Sequence, residues 1–275
     1  MSIVFIGGGN MASALIGGLV AHGQETTDIS VVEIDPETSR RLRDTWGVAT
    51  YGEAPPALNG VGTLVLAVKP QHMAAMAHAL PPLAQDVRVI SIAAGIRTAP
   101  LSQWLKGHVN IVRAMPNMPA LVQQGAAGLY AMPQVSQEDR LHAQSLMRAV
   151  GSAVWVTREA DLDAVTAVSG SGPAYVFLLM EAMLEAARSM GLEEAAATTL
   201  VLDTVRGAAM LAKAGPDTPA QLRHKVTSPG GTTEAALAIL NAASLEETIS
   251  QAMHAAAARS RELGDGLASD AGESN

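Results

Sequence analysis

The sequence predicts an α/β protein, with an N-terminal doubly wound, mostly parallel sheet followed by an all-helical domain. Three observations carry this reading. Short apolar strands alternate with helices up to about residue 160. A glycine-rich turn joins the first strand to the first helix. Strand patterns stop after Thr157.

In chain order, "SIVFI" is a strand and "NMASALIGGLVAHG" a helix that stops at Gly23. "DISVVEI" is a second strand, and "DPETSRRLRDTWG" a helix opened by Asp35 and Pro36, a capping pair. "GTLVLAV", "VRVISIAAG" and "HVNIVRAMPN" are further strands, with "QHMAAMAHALPPL" a helix between the first two. These strands are apolar on both faces, as in a parallel sheet covered by helices on both sides. From Gly125 to Val156 the pattern gives the sheet's last strands around one helix, "SQEDRLHAQSLMRAV". Long helical stretches then run to Gly264, followed by a polar, acidic tail expected to fray. The expected domains are 1–160 and 161–275.

Of the 275 residues 48% are hydrophobic and only 3% aromatic, so Ala, Val, Leu, Ile and Met must fill the core. The net charge of −8 and the absence of a basic run argue against nucleic-acid binding. No cysteine is present, and the seven histidines show no ligand spacing, so no metal site is expected. Met1 leads straight into a strand with no signal-peptide pattern. The apolar run "AYVFLLM" ends at Glu181, far short of the ~20 residues of a membrane span. The reading is a soluble, cytoplasmic protein without membrane partners.

Tyr175–Met190 is apolar on nearly every face except at Glu181, Glu185 and Arg188. A helix apolar all round must be covered on all sides. A second copy of the chain would cover it better than one subunit can, so a homo-oligomer through the helical domain is expected.

Gly7-Gly8-Gly9-Asn10-Met11-Ala12 fits G-x-G-x-x-G/A between strand and helix. In that scheme Gly7 makes the tight turn and Gly9 lets a pyrophosphate approach the backbone. Ala12 lets helix and strand pack closely. The helix's first amides, at Asn10 and Met11, face the phosphates. Gly8 has no role in the scheme. A dinucleotide site is therefore expected. The acidic residue for the ribose is Glu33 or Asp35, and no arginine stands at that strand end for a 2′-phosphate. This favours NADH over NADPH. Open α/β sheets bind ligands at their carboxyl edge, where Ala67, Val68, Lys69 and Pro70, then Ala93, Ala94 and Gly95, then Asn117 leave room for a flat cofactor.

"GGGNMA", "AVKP", "SIAAG", "RAMPN", "SGSGPAY" and "SPGGTT" occur in this order. Together they resemble pyrroline-5-carboxylate reductase over nearly the whole chain. The resemblance implies reduction of the C=N bond of 1-pyrroline-5-carboxylate to L-proline with NADPH or NADH. It also implies a homodimer through the helical domain, with decamers as a further level of assembly. In "VTSPGGTTEAALAIL" a glycine-rich turn opens a helix, and such an end presents free amides to an anion. By resemblance, the backbone of Gly230, Gly231, Thr232 and Thr233 would hold the substrate carboxylate. The Thr233 hydroxyl, the expected catalytic group, would orient the ring nitrogen. Glu159 matches a position near the substrate. Met118, Lys225 and Glu33 depart from the family pattern, which puts local cofactor contacts in question.

Three rival readings stand beside this one, and the first, an imine reductase acting on a larger ring, would differ by only a few pocket side chains. A β-hydroxyacid dehydrogenase would carry a lysine in the first long helix, and Val168–Met190 contains none. A non-catalytic nucleotide-binding regulator would keep "GGGNMA" but need not keep "SPGGTT".

Overall fold

The structure is a computed structural model that describes residues 2–54, 58 and 60–270. An eight-stranded sheet has the order β3-β2-β1-β4-β5-β6-β7-β8. Its strands are β1 (Ser2–Ile6), β2 (Ile29–Val32), β3 (Ala49–Tyr51), β4 (Val61–Leu66), β5 (Arg88–Ser91), β6 (Ile111–Met115), β7 (Gly125–Ala131) and β8 (Gly151–Trp155). All pairings are parallel except β6 with β7. The chain leaves β1 toward β2 and β3, then returns to β4 on its other side. The switch point between β1 and β4 is where such sheets bind ligands.

Alternation along β1 shows why the strand is apolar throughout. Ile3 and Phe5 enter one core with Leu15, Ile16 and Leu42, from the helices α1 (Asn10–Ala21) and α2 (Pro36–Trp46). Val4 and Ile6 enter the other with Met73, Leu101 and Trp104, from α3 (Pro70–Ala79) and α4 (Thr98–Trp104). The helix α5 (Gln137–Arg148) adds Ala143, Leu146 and Met147 to the first core. β3 has no counterpart in the sequence pattern. It is three residues long with no buried position, so the apolar signal that marks the other strands is missing.

Cα packing gives two compact units, residues through Ser171 with those from His254 on, and Gly172–Met253. The division lies after the expected residue 160 because α6 (Asp161–Val165) buries Leu162 completely and packs on β7. A π-helical turn, Thr166–Gly170, completes the first unit's central segment. The second unit holds α7 (Gly172–Ser189), α8 (Glu194–Ala214), α9 (Pro219–Lys225) and α10 (Thr232–Ala242). The last helix, α11 (Leu245–Asp270), begins in the second unit and ends in the first. The helix thus continues past the expected stop at Gly264 into the tail, to Asp270, and residues 271–275 lie outside the described residues.

The second unit leaves its apolar helices uncovered. Val176, Phe177, Leu178, Leu179, Leu200 and Met210 are all exposed, and Ala187 is the one buried side chain of α7. Two helical segments, Asp161–Ser189 and Glu194–Ala214, are long and apolar enough to cross a membrane by length and composition. The uninterrupted apolar run "AYVFLLM" covers only part of the first of these segments.

Candidate active site

The turn after β1 is built as the glycine pattern requires, with one addition. Gly7 has φ +97°, and a Cβ there would lie 2.9 Å from the Ala67 carbonyl carbon and oxygen. Gly9 has nothing within 4 Å of where a Cβ would stand, so its backbone is open to a ligand. Gly9 gives α1 no side-chain cap, and the first turn of α1 has no acidic residue. The first-turn amides, including those of Asn10 and Met11, therefore end in an uncompensated positive dipole.

Gly8, which the pattern leaves without a role, is the most crowded of the three. A Cβ would stand 2.5 Å from Leu42 Cδ1, and the Gly8 N–H donates to Glu33 Oε2 at 2.7 Å. Glu33 Oε1 accepts from the Asp35 N–H at 2.8 Å. Its carboxylate is thus fixed between the glycine turn and the end of β2. Asp35, the alternative ribose ligand, caps α2 by accepting from the Thr38 N–H at 2.9 Å. The hydrogen bonds with Thr38 hold the Asp35 carboxyl below its ordinary value. Ile34, which the sequence reading passed over, is 83% exposed between these two acids.

The other expected coenzyme residues follow strands on the same edge. The Ala67 N–H donates to Ile6 at 2.8 Å, which joins the ends of β1 and β4. Lys69 is exposed at the N-cap of α3, and Pro70 opens that helix. In the turn between β5 and α4, Ala93 and Gly95 are buried and Ala94 is exposed. A cavity of about 280 Å³ lies beside it, lined by Pro70, Gln71, Ala94, Gly95, Thr166, Ser260 and Leu263.

Two expected ligand residues have hydrogen-bond partners within the protein. Asn117 is buried; its Nδ2 donates to the Ser169 carbonyl at 2.9 Å and its Oδ1 accepts from the Ala126 N–H at 2.8 Å. Residue 173 is proline and cannot return an i→i−4 bond to the Ser169 carbonyl, so Asn117 supplies one. Its side chain therefore fastens the π-turn. Glu159 accepts from Thr98 twice, from the N–H at 2.7 Å and from the hydroxyl at 2.9 Å. It also accepts from Arg113 Nη1 at 3.3 Å. Arg97, the N-cap of α4, offers no side-chain cap, so Glu159 caps that helix from a distance. Arg113 is 2% exposed, and burial pulls its guanidinium below the ordinary value while Glu159 opposes the shift. A lone arginine inside the apolar strand "IVRAM" was the sequence signal for this pair.

In the second unit, Gly230 (φ +69°) turns the chain into α10. The Gly230 N–H donates to Glu234 Oε2 at 2.7 Å, and the Gly231 N–H donates to the Ser228 carbonyl at 3.0 Å. The two glycine amides expected to bind an anion are thus used inside the turn. Gly231 provides no side-chain cap for α10. The donors that helix geometry leaves open are the next ones, at Thr232, Thr233 and Glu234. Thr232 is exposed and Thr233 half-buried. Lys225 is paired with Asp217 at 2.6 Å, and Met118 is exposed. No group of His, Cys, Asp and Glu able to hold a metal ion occurs among the described residues.

Comparison with known proteins decides the family. Residues 159–263 match the family model "Pyrroline-5-carboxylate reductase dimerisation", and residues 2–95 match "NADP oxidoreductase coenzyme F420-dependent". The pyrroline-5-carboxylate reductase of Pseudomonas aeruginosa is 46% identical, with 96% of this chain and 97% of that protein covered. The chain belongs to the pyrroline-5-carboxylate reductase family. The Pasteurella multocida member is 44% identical, with 95% of this chain and 97% of that protein covered. The solved structure from Coxiella burnetii, at 39% identity, superposes with a TM-score of 0.88 over 95% of this chain and 98% of that one. The Plasmodium falciparum structure, at 27% identity, has NADP bound and a TM-score of 0.85 over 96% of this chain and 98% of that one. The dimerisation match includes all of α7 and α8, the helices whose apolar faces are uncovered here.

Proposed function

We propose that this protein reduces the C=N bond of 1-pyrroline-5-carboxylate to L-proline with NADH or NADPH. The observation that carries the reading is a pair of uncapped, glycine-led helix N-termini, α1 and α10. Gly7 and Gly9 open the turn, and the amides of Asn10 and Met11 hold the pyrophosphate. Glu33 takes the adenosine ribose. Ala67, Val68, Lys69 and Pro70 border the coenzyme at the end of β4, and Ala93, Ala94 and Gly95 border it at the end of β5. The reduced nicotinamide, when bound, supplies the hydride.

The amides of Thr232, Thr233 and Glu234 hold the substrate carboxylate, with the Gly230-Gly231 turn aiming them. The Thr233 hydroxyl orients the ring nitrogen. An imine that arrives protonated is already electrophilic, so these residues act by positioning rather than as strong acids. The protein forms a homodimer in which a second copy covers α7 and α8, and dimers assemble further into decamers. That cover accounts for the two membrane-length apolar helices in a soluble, cytoplasmic enzyme.

The test follows coenzyme absorbance with pyrroline-5-carboxylate, its six-membered analogue and a hydroxyacid in turn. Oxidation with the five-membered imine and no reaction with the hydroxyacid are expected. No oxidation with any imine overturns the proposal.

Glu33 also sets an expectation for coenzyme choice. A fixed carboxylate at the end of β2 accepts from a ribose 2′-hydroxyl and repels a 2′-phosphate. NADH should therefore give the higher kcat/KM. Glu33→Gln, which keeps an acceptor for Gly8 but loses the charge, should narrow the gap about fivefold, the size of one partly exposed charge contact. A wild-type preference for NADPH contradicts this assignment.

A further inference from the structure

A glycine inside a helix costs about 1 kcal/mol relative to alanine, yet α11 runs through Gly264 for six more residues, to Asp270. The reason lies across the helix. A Cβ on Gly264 would stand 3.0 Å from the Gly95 carbonyl oxygen and 3.5 Å from Arg97 Nε. A larger side chain at this position would push α11 away from the turn between β5 and α4, and glycine lets the two lie close. The flanking residues tie the same turn. Asp265 accepts from Arg97 Nη2 at 3.1 Å. One turn earlier, the Ser260 hydroxyl donates to buried Asp163 at 2.7 Å, and the second Asp163 oxygen lies 3.7 Å from that Arg97 nitrogen. Ser260 and Leu263 also wall the cavity beside Ala94 and Gly95.

Ile96 anchors the turn in the core, and the stretch before it is held differently. Ala93, Ala94 and Gly95 are small, Gly95 has φ +78°, and α4 lacks a cap from its own N-cap side chain. Glu159 fastens it at Thr98, and α11 fastens it at Gly95 and Arg97. We infer that the segment Ser260–Asp265 of the last helix is a positioning clamp for the active site, acting through the β5–α4 turn. Gly264 and Asp265 are positioning residues whose work is to hold the wall formed by Ala93, Ala94 and Gly95. The inference rests on the proposed reading of that turn as part of the coenzyme site.

Gly264→Leu tests it in the full-length enzyme. At saturating imine and coenzyme, kcat should fall about tenfold, since small displacements at a reacting centre have large effects. The NADH dissociation constant, set by α1 and Glu33, should stay within about twofold of the parent value because the phosphate and ribose contacts are untouched. The isotope effect on kcat with coenzyme deuterated at the transferred hydrogen should rise, a change that a merely structural role would not produce. Gly264→Ala, whose Cβ needs only a few tenths of an ångström of relief, should retain most of the turnover. The double variant Ser260→Ala/Asp265→Ala keeps the test open if the leucine variant does not fold. It should lower kcat about threefold, with the same rise in isotope effect, by loosening the turn. Unchanged kcat and isotope effect in a folded variant overturn the clamp while leaving the proposed reaction intact. A parent protein inactive with every imine removes the proposed reaction first, and the clamp with it.

Discussion

Glu159→Ala is expected to lower folding stability by about 3 kcal/mol, the lower end of what losing one partner of a buried ion pair costs. The guanidinium it would abandon is 2% exposed. The variant would also strip Thr98 of both hydrogen bonds and uncap α4. Asp163, which also stabilises the Arg113 charge, keeps the expected loss from being larger. Chemical denaturation of the two proteins at neutral pH measures the difference. Removing both charges in Arg113→Met/Glu159→Leu should recover most of the loss, because a buried pair exchanged for apolar groups is often nearly neutral. A Glu159→Ala variant as stable as the parent but with a raised KM for the imine would return Glu159 to the substrate, as its sequence position implied.

Thr233→Ala should lower kcat about 100-fold, the usual effect of deleting one preorganised hydrogen-bond donor at a reacting centre. NADH affinity should not change, since Thr233 lies on α10 and the amides proposed to face the pyrophosphate lie on α1. Steady-state turnover and fluorescence titration of NADH separate the two effects. Thr233→Ser should restore most of the rate, because the proposed role belongs to the hydroxyl and not to the methyl. Full turnover in Thr233→Ala removes the residue from the mechanism.

Local patterns in the chain carried the sheet and both glycine-led helix starts. Apolar runs bounded by turns marked the longer strands, and Gly7 and Gly9 occupy the geometry that their spacing implied. What the patterns could not show were partners distant in sequence. Gly8 is required by Leu42 and Glu33, which belong to the next strand–helix unit. Asn117 reaches a carbonyl 52 residues away, and Glu159 a helix end 61 residues away. Both residue types occur in ligand sites and in structural latches alike, so the choice between those roles needs the fold. Gly264 shows the same limit in another form. Along the chain a glycine after a helical run reads as a stop. In space it is the point where one helix touches another segment's backbone, and the helix continues. At Gly230 the unseen partner is close by, a Glu234 side chain that folds back onto the turn.

The central claim is that α1 holds the coenzyme's pyrophosphate and α10 the substrate's carboxylate. A crystal structure of the protein with NAD+ and L-proline at saturating concentrations tests it most directly. The account predicts the pyrophosphate against Gly9, Asn10 and Met11, and the proline carboxylate within hydrogen-bond distance of the Thr232, Thr233 and Glu234 amides. A proline carboxylate held elsewhere, for instance by Lys69, with the α10 amides left to solvent, would contradict it.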